Sequence, residues 1–459
     1  MADNPALLAA AQRGTVLPIY ILDDANAGNW AMGETSRVWL HHSLEALNAS
    51  LHGNLRFFQG DAIEILAELT EKLAVDAVYW NRCYEPWRIQ RDATIKSRLH
   101  NRGIEAESFN GSLLWEPWEI CKSDGTPYRV FTPFFQKGCL RAVAPRNPQA
   151  APAKIDFAEK AVPSDKTLDD LELLPAIDWH RDLIAQWDVG EAGAARRLDQ
   201  FCEEGLRDYR RGRDFPAMES VSRLSPHLRF GELSPHQAWY RVEFERQRQT
   251  EENTEHFLRE LGWREFSYHL LYHFPKLPED NFNARFDQFA WNEDIEGLER
   301  WQQGRTGFPI VDAGMRELWQ TGYMHNRVRM IVASFLIKNM LVHWRTGENW
   351  FWDCLVDADL ASNSASWQWV AGSGADAAPY FRIFNPVRQS EKFDPDGEYL
   401  LRYCPELSGL PKKLRHQPWL ASATELSAAG IELGVDYPQP MLDLGETRER
   451  ALARFKALP

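Results

Sequence analysis

The segment Asp357–Arg388, DADLASNSASWQWVAGSGADAAPYFRIFNPVR, places two acids, an amide and two tryptophans within its first thirteen residues. Asp359, Asn363 and Trp367 are four residues apart, so a helix would carry all three on one face. A carboxylate, an amide and an aromatic ring in one line suit a flat cofactor with polar edges. Because a core helix would bury such polar groups without partners, the segment predicts a helical domain that binds a cofactor.

The region around this segment has the apolar spacing of helices. From about residue 182 onward, positions such as Leu198, Phe201 and Leu206 follow helical periodicity, and no strand alternation is found. We therefore expect an all-helical domain over 182–459. The preceding stretch, 121–181, is rich in proline and lacks periodicity, which predicts an interdomain linker.

The first third of the chain alternates between strand-like and helix-like segments. Strands are predicted at Val16–Leu22, Leu55–Phe58, Ala77–Trp80 and Ile104–Phe109, with a helix at Ser36–Leu51. Such alternation indicates an α/β domain over 1–120, with a parallel, Rossmann-like sheet covered by helices. Ligands of such sheets bind beyond the carboxyl ends of the strands.

Composition narrows the class of protein. The net charge of -14 taken alone argues against nucleic acid, although arginines cluster locally, as in YRRGR at 209–213. Six scattered cysteines form no CxxC pair, which fits a reducing cytoplasm better than a disulfide framework or a zinc site. No apolar run reaches the roughly 18 residues of a membrane span. Nineteen tryptophans are an excess that a core accounts for only in part.

Two short motifs have both a binding interpretation and a structural one. Ser220–Leu228, SVSRLSPHL, could bind phosphate through its hydroxyls, its arginine and helix N–H groups, or simply cap a helix with Ser225 as N-cap and Pro226 at the first helical position. Asp357 and Asp359 could hold Mg²⁺ or Mn²⁺. The nearest downstream partners are an amide and a tryptophan, so hydrogen bonds to a ribose or a ring edge fit these acids better than a metal.

Two helical faces join charged or amide groups to apolar ones. One combines Glu260, Trp263 and Arg264, and the other combines Asn326, Arg329 and Met330. Salt bridges on a helix surface explain many charged faces. Exposing a tryptophan or a methionine to water is unfavourable, however, and a carboxylate beside an aromatic ring suits an uncharged heterocycle. Both interpretations stay open at this point.

Taken together, the chain resembles the family of DNA photolyases and cryptochromes, specifically microbial cyclobutane-dimer photolyases of class I or III. The resemblance extends over nearly the whole chain, and its motifs occur in the family's order and spacing. They are SVSRLSPHLRFGELSP at 220–235, LGWREF at 261–266, GFPIVDAGMREL at 307–318, GYMHNRVRMIVASFL at 322–336, and DADLASNSASWQW through FRIFNP at 357–386.

The resemblance implies an α/β antenna domain followed by a helical domain that holds FAD. Residues matching the family's flavin contacts are Tyr209, Ser222, Arg223, Leu224, Ser225, Asn326, Arg329, Asp357, Asp359 and Asn363. Residues matching its electron-transfer chain are Trp291, Trp344 and Trp367. Asn363 occupies the position that faces the flavin N5.

The same resemblance implies a site for UV-damaged DNA. Trp263 and Trp369 would stack on a flipped-out dimer, Glu260 and Asn326 would hydrogen-bond its pyrimidine edges, and Met330 would contact it. The matching phosphate contacts are Arg264, Arg327 and Arg382. The implied enzyme is a carbon–carbon lyase: light-excited, reduced FAD donates an electron to the dimer, the cyclobutane ring splits, and the electron returns.

The match differs from the family in two places. The family opens with a strand and an arginine-rich segment, whereas this sequence starts at Met1-Ala2-Asp3-Asn4-Pro5, so the first strand is expected to be absent from it. Residues 84–92, YEPWRIQRD, lack the Asn-Glu pair that holds folate in some members. The antenna expected here is 5,10-methenyltetrahydrofolate, with 8-hydroxy-deazaflavin as the alternative, and no residues are assigned to it.

The alternative function is that of a cryptochrome, a blue-light receptor without repair activity. Glu260, Met330, Asn363 and the paired Trp263 and Trp369 favour the enzyme. A photolyase for (6-4) photoproducts is expected to carry histidines at the positions of Asn326 and Met330. A monomeric, cytoplasmic enzyme is therefore expected, with damaged DNA as its partner and no membrane or metal.

Overall fold

The computed structural model describes residues 1–158, 166–248, 250–377 and 381–459. These residues divide into two compact units, which are each built from several chain segments. The first unit comprises Met1–Glu203, Ser222–Lys276 and Val356–Ala361, and the second comprises Glu204–Val221, Leu277–Leu355 and Ser362–Pro459. Within the described ranges, no helix combines the length and the apolar character needed to cross a membrane.

The first unit contains four short parallel strands. They are β1 (Ile19–Leu22), β2 (Arg56–Gln59), β3 (Ala77–Asn81) and β4 (Glu105–Phe109). All four strands predicted from the sequence are thus confirmed. β1 pairs with β2 and β3 pairs with β4, and the described residues form two two-stranded sheets instead of one continuous sheet. Ile21 of β1 and Trp80 of β3 nevertheless pack in the same apolar cluster, so the two sheets share a core without a ladder between them.

Helices make up most of the rest of the described chain. They are α1 (Pro5–Arg13), α2 (Glu34–Ser50), α3 (Ala62–Leu73), α4 (Pro86–Asn101), α5 (Phe131–Pro133), α6 (His180–Ile184), α7 (Glu191–Glu203), α8 (Tyr209–Gly212), α9 (Ser225–Phe230), α10 (Pro235–Glu245), α11 (Glu251–His273), α12 (Ile295–Gln302), α13 (Pro309–Thr321), α14 (Asn326–Ser334), α15 (Trp344–Cys354), α16 (Leu360–Ala371), α17 (Pro386–Phe393), α18 (Glu398–Tyr403), α19 (Lys412–Arg415), α20 (Ala423–Ala429) and α21 (Leu444–Lys456). Phe134–Gly138 and Phe335–Asn339 are π-helical extensions of α5 and α14.

Local sequence explains where several of these helices begin. Asn4 caps α1 by accepting from the N–H of Leu7, with Pro5 at the first helical position. Ser234 and Gln237 form a reciprocal capping box at the start of α10. Gly322 ends α13 in the left-handed conformation, with φ of 65°.

Each unit has its own apolar core. In the first unit, leucines of α2 pack with β1 and β2, as shown by buried Leu40, Leu44 and Phe57. In the second unit, Phe286, Phe289 and neighbouring side chains pack against α21. The all-helical character expected for the C-terminal part of the chain is confirmed, since the described residues of the second unit form no strand.

Candidate active site

In the first unit, the two acids of the Asp357–Arg388 segment bond to different hydroxyl groups. Ser225 begins α9, and its Oγ donates to Asp357 Oδ2 at 2.5 Å. The hydroxyl of Tyr268 donates to Asp359. Leu224, and not Ser225, occupies the N-cap position of α9. The carboxylates that the sequence allowed as a metal pair are therefore parts of two separate hydrogen bonds.

The residues before α9 form a tight, strained turn. Arg223 has a positive φ of 52°, which a residue with a side chain rarely adopts. Its guanidinium carbon lies 4.2 Å from the ring centroid of Trp187. The carbonyl of Ser222 accepts from Arg197 Nε at 2.8 Å. Strain of this kind concentrates at binding sites, so the turn supports a ligand role for this segment.

Helix α11 carries the predicted substrate residues of the first unit. Glu260 and Trp263 are half-buried. Arg264 Nη1 donates to the carbonyl of Ser112 at 2.7 Å and lies 3.3 Å from Glu265 Oε1. Its side chain is only 14% exposed, so this guanidinium is engaged inside the unit.

In the second unit, α14 presents the residues expected at the pyrimidine edge. His325 caps the helix by accepting from the N–H of Arg327, and burial lowers the pKa of His325 to about 3. A neutral imidazole is required because a protonated one could not accept this bond. Asn326 is exposed and Met330, one turn later, is half-buried. Arg327 pairs with Asp214 Oδ1 at 2.5 Å, and Arg329 Nε donates to the carbonyl of Met324 at 2.7 Å.

The amide of Asn363 is oriented by its neighbours in the second unit. Its Nδ2 donates to the carbonyl of Glu348 at 3.0 Å, and Ser364 Oγ donates to Glu348 Oε1 at 2.5 Å. Within the described residues, Oδ1 of Asn363 has no hydrogen-bond donor. Glu348 is fully buried with Oε2 unpaired, and burial raises its pKa to about 8.

The three predicted electron-transfer tryptophans all lie in the second unit. Trp367 is 2% exposed and packs on α15 at Gly347, where a Cβ atom would lie 2.2 Å from its ring. Trp344, one turn before Gly347, is fully buried and donates from Nε1 to Asn281 Oδ1 at 2.9 Å. The ring of His343 lies 5.0 Å from Trp291 and 5.6 Å from Trp344. Trp291 is half-exposed, so two of these tryptophans are buried and the third reaches solvent.

The remaining predicted residues occupy different positions in the second unit. Tyr209 begins α8 and is 7% exposed. Trp369 is half-buried and donates from Nε1 to the carbonyl of Asp376 at 3.1 Å. Arg382 is exposed. Of the three arginines expected at phosphates, it is the one whose side chain is open to solvent.

Sequence reasoning missed several residues that shape these sites. Tyr268 follows Trp263 in α11 at a spacing of five, which did not mark it as a partner of Asp359. Glu348 stands in the aromatic run WRTGENWFW, and an acid in such a run was a signal for a buried carboxyl. Gly347 precedes Glu348. The close approach of the Trp367 ring explains why this position carries no side chain.

Comparison with known proteins finds similarity to photolyases and cryptochromes. A family model described as the FAD binding domain of DNA photolyase matches residues 257–457, and one described as DNA photolyase matches residues 1–153. The deoxyribodipyrimidine photo-lyase of Agrobacterium fabrum is 48% identical, over 100% of this chain and 96% of that protein. Cryptochrome-2 of Arabidopsis thaliana is 36% identical, over 99% of this chain and 77% of that protein.

Solved structures agree with the sequence comparison. The crystal structure of a bacterial class III photolyase from Agrobacterium tumefaciens superimposes with a TM-score of 0.95 at 47% identity, covering 100% of this chain and 95% of that one. The cryptochrome of Synechocystis sp. PCC6803 gives a TM-score of 0.88 at 32% identity, covering 99% and 96%. The chain therefore belongs to the DNA photolyase family, which includes the cryptochromes.

Proposed function

We propose that this protein is a photolyase that repairs cyclobutane pyrimidine dimers in DNA, with reduced FAD as its light-excited cofactor. The observation that carries the proposal is the fixed orientation of Asn363. Nδ2 donates one of its two hydrogens to the carbonyl of Glu348, which fixes the amide plane and leaves Oδ1 available to accept a hydrogen bond. An acceptor in this position suits the N5–H group that a flavin carries in its reduced form.

The residues expected to hold FAD have chemistry that fits it. Serine hydroxyls, an arginine with a strained backbone, and the carboxylates of buried Asp357 and half-buried Asp359 suit phosphate, ribityl and ribose groups. In the first unit these are Ser222, Arg223, Leu224, Ser225, Asp357 and Asp359; in the second they are Tyr209, Asn326, Arg329 and Asn363. When bound, FAD supplies the photoexcited electron donor. The protein's own contribution is to orient the ring through Asn363 and to bind the polar parts of the cofactor.

The tryptophans of the second unit support a supply of electrons from the surface. Trp367 and Trp344 are buried and Trp291 is half-exposed, as a path from solvent to the interior requires. We propose that they re-reduce an oxidised flavin. Replacing Trp344 with Phe should abolish photoreduction by an external reductant while leaving repair by chemically reduced protein intact.

The proposed substrate contacts follow the same division between units. Trp263 and Trp369 would stack on the dimer, Glu260 and Asn326 would hydrogen-bond its edges, and Met330 would contact it. Glu260 would then be the group best placed to stabilise the negative charge that reaches a pyrimidine carbonyl.

Exposed Arg382 is the strongest candidate among the proposed contacts to the DNA backbone. Arg264 and Arg327 would need to exchange internal partners to reach a phosphate. Such local contacts explain how a protein with a net charge of -14 binds DNA. Arg382→Ala should therefore reduce the salt dependence of DNA binding more than either of the other two changes.

We further propose a second, light-harvesting cofactor, with 5,10-methenyltetrahydrofolate preferred over 8-hydroxy-deazaflavin. An archaeal photolyase from Sulfolobus tokodaii, 31% identical and covering 99% of this chain, was solved with two FAD molecules. Mass spectrometry of cofactors released from the purified protein distinguishes a folate, a deazaflavin and an FAD content of two per chain. We also propose that the protein is monomeric and cytoplasmic. Sedimentation of the purified holoprotein tests whether it is a monomer.

A repair assay tests the central proposal. The purified protein with fully reduced FAD is mixed with an oligonucleotide containing a thymine dimer and is exposed to near-UV or blue light, with a dark control. We expect dimers to become thymines in the light only. Absence of repair with reduced FAD bound would reject the enzyme and leave the cryptochrome-type receptor, which the similarity to Cryptochrome-2 supports as the second candidate.

A variant of Glu260 tests how the substrate is held. Glu260→Ala should lower the repair yield while FAD stays bound. Glu255 is the matched control, because it is an exposed acid on the same helix that faces Arg246. Loss of FAD from Glu260→Ala would show that this residue has been assigned to the wrong ligand.

A further inference from the structure

The indole of Trp263 has one of its two faces already covered. The ring of Phe131 stacks on it with centroids 3.7 Å apart and planes 10° apart. Phe266 meets the indole only edge-on, at 5.9 Å and 73°. Phe131 is 1% exposed, whereas Trp263 is half-exposed. A flat ligand can therefore stack on Trp263 from one side only.

Phe131 is itself packed against two further groups. The ring of Phe135 lies nearly parallel to it, with centroids 5.7 Å apart. The guanidinium carbon of Arg259 lies 5.2 Å from the Phe131 centroid. Phe135 in turn packs directly on α11 at Gly262, where a Cβ atom would lie 2.5 Å from the ring. Because Gly262 precedes Trp263, this close approach fixes the segment of Phe131 against the helix at the indole.

We propose that Phe131 is a positioning residue for substrate, which acts by fixing the plane of Trp263. This inference rests on the proposed stacking of Trp263 on a flipped-out pyrimidine dimer. An indole that is free to rotate loses rotamer entropy when a base stacks on it, whereas a preset indole does not. Phe131 thus raises affinity for damaged DNA without touching the DNA or the cofactor.

The position of Phe131 explains why no sequence pattern indicated this role. It lies in the proline-rich stretch 121–181 that was expected to be a linker. Its stacking partner lies 132 residues later, in α11. Only the packing of α5 on α11 brings the two rings together.

The test compares Phe131→Leu with Phe134→Leu in the FAD-bound, full-length protein. Phe134 is a matched control because it is also buried, but its ring neighbours are Tyr128, Phe266 and His269. Phe131→Leu should raise the Kd for a dimer-containing oligonucleotide by about two- to tenfold, the range that loss of one aromatic pair gives. The repair rate at saturating DNA and the FAD content should stay unchanged. Phe134→Leu should leave Kd unchanged.

A second variant separates a specific effect on DNA binding from a loss of folding. Phe131→Tyr keeps the aromatic face and should restore the wild-type Kd. Equal rises in Kd for the Phe131→Leu and Phe134→Leu proteins would overturn the inference, because both changes would then act only through the core. An unchanged Kd in Phe131→Leu would also overturn it. Failure of the wild-type protein to repair DNA would instead reject the proposed function, so the two failures are distinguishable.

Discussion

Glu265 of the first unit and Glu348 of the second are both buried, at 3% and 0% exposure, and the two carboxyls have different surroundings. In the first unit, Glu265 Oε2 accepts from the N–H groups of Leu114 and Trp115 at 2.8 and 3.3 Å, and Arg264 lies beside Oε1. In the second unit, Glu348 has one donor, Ser364, and an unpaired Oε2. Burial raises the pKa of Glu265 to about 7 and that of Glu348 to about 8.

The difference shows that similar burial serves two purposes. Glu265 connects α11 to the backbone at 114–115, so its donors hold the structure together. Glu348 holds Asn363 through its carbonyl group, and its carboxyl carries a proton at neutral pH. Hydrogen-bond donors partly offset the cost of desolvating the ionised carboxylate of Glu265, and they hardly do so for Glu348. Changes to these groups should therefore affect stability to different extents and over different pH ranges.

Removing the Glu265 side chain should have the largest effect. Glu265→Ala leaves two buried N–H groups without an acceptor and Arg264 without its carboxylate, so we expect a loss of about 3–5 kcal/mol of stability. Urea unfolding monitored by circular dichroism measures it. Glu265→Gln keeps one acceptor oxygen and should lose less. A loss below about 1 kcal/mol for Glu265→Ala would show that the connection is not structural.

Replacing Glu348 should change the pH dependence of stability. An acid whose pKa is raised to about 8 in the folded state, from 4.5, stabilises fully below pH 4.5 and loses that contribution as pH rises to about 8. Glu348→Gln does not titrate, so its advantage over the wild type should grow by about 4 kcal/mol between pH 5 and pH 9. Thermal unfolding across this range measures the difference.

The titrations of the two glutamates can be told apart above pH 7.5. There the pKa of about 7 for Glu265 has been passed, and Glu348 is the glutamate of this pair still losing its proton. Because Glu265 is present in both proteins, its titration cancels from their difference, so a Glu348→Gln advantage that stops growing at pH 7 would contradict a pKa of about 8 for Glu348.

Lys338 extends the comparison to a buried base, whose titration changes stability with pH in the opposite direction. It is 1% exposed, its Nζ lies 3.5 Å from the Phe381 ring centroid, and it forms no salt bridge with the described carboxylates. Burial lowers its pKa from 10.5 to about 7, so wild-type stability should rise with pH between about 7 and 10.5. The stability advantage of Lys338→Met over the wild type should therefore be larger at pH 6 than at pH 10 by about 4 kcal/mol. Destabilisation at pH 6 would contradict this.

Removing the one donor to the Glu348 carboxyl should have the smallest effect. Ser364→Ala should cost about 1 kcal/mol near pH 7, and should raise the pKa of Glu348 further because the hydroxyl favours the ionised form. Ser373→Ala is the matched control, since Ser373 is equally buried and bonds Gln368. Thermal unfolding of both variants at pH 7 and pH 9 measures the effect, and equal losses at both sites would contradict it.

Much of the fold could be predicted from the periodicity of apolar residues and from the residues that end helices and strands. The four strands and α2 were expected from apolar runs and helical spacing, because these patterns depend on a few neighbouring residues. The pairing of β1 with β2 and of β3 with β4 depends on contacts between distant segments. Similarly, Ser225 was a plausible helix cap locally, but Asp357, 132 residues away, takes its hydroxyl.

The sequence alone determined the family, the helical cofactor domain and the identity of the residues expected at flavin, substrate and electron path. It could do so because motifs such as LGWREF and DADLASNSASWQW are contiguous and carry their chemistry in their side chains. The tertiary structure alone decided that the amide of Asn363 donates to the carbonyl of Glu348, which arginine is open to solvent, and that Phe131 covers Trp263. These properties depend on burial and on partners far apart in the chain, and no local pattern encodes them.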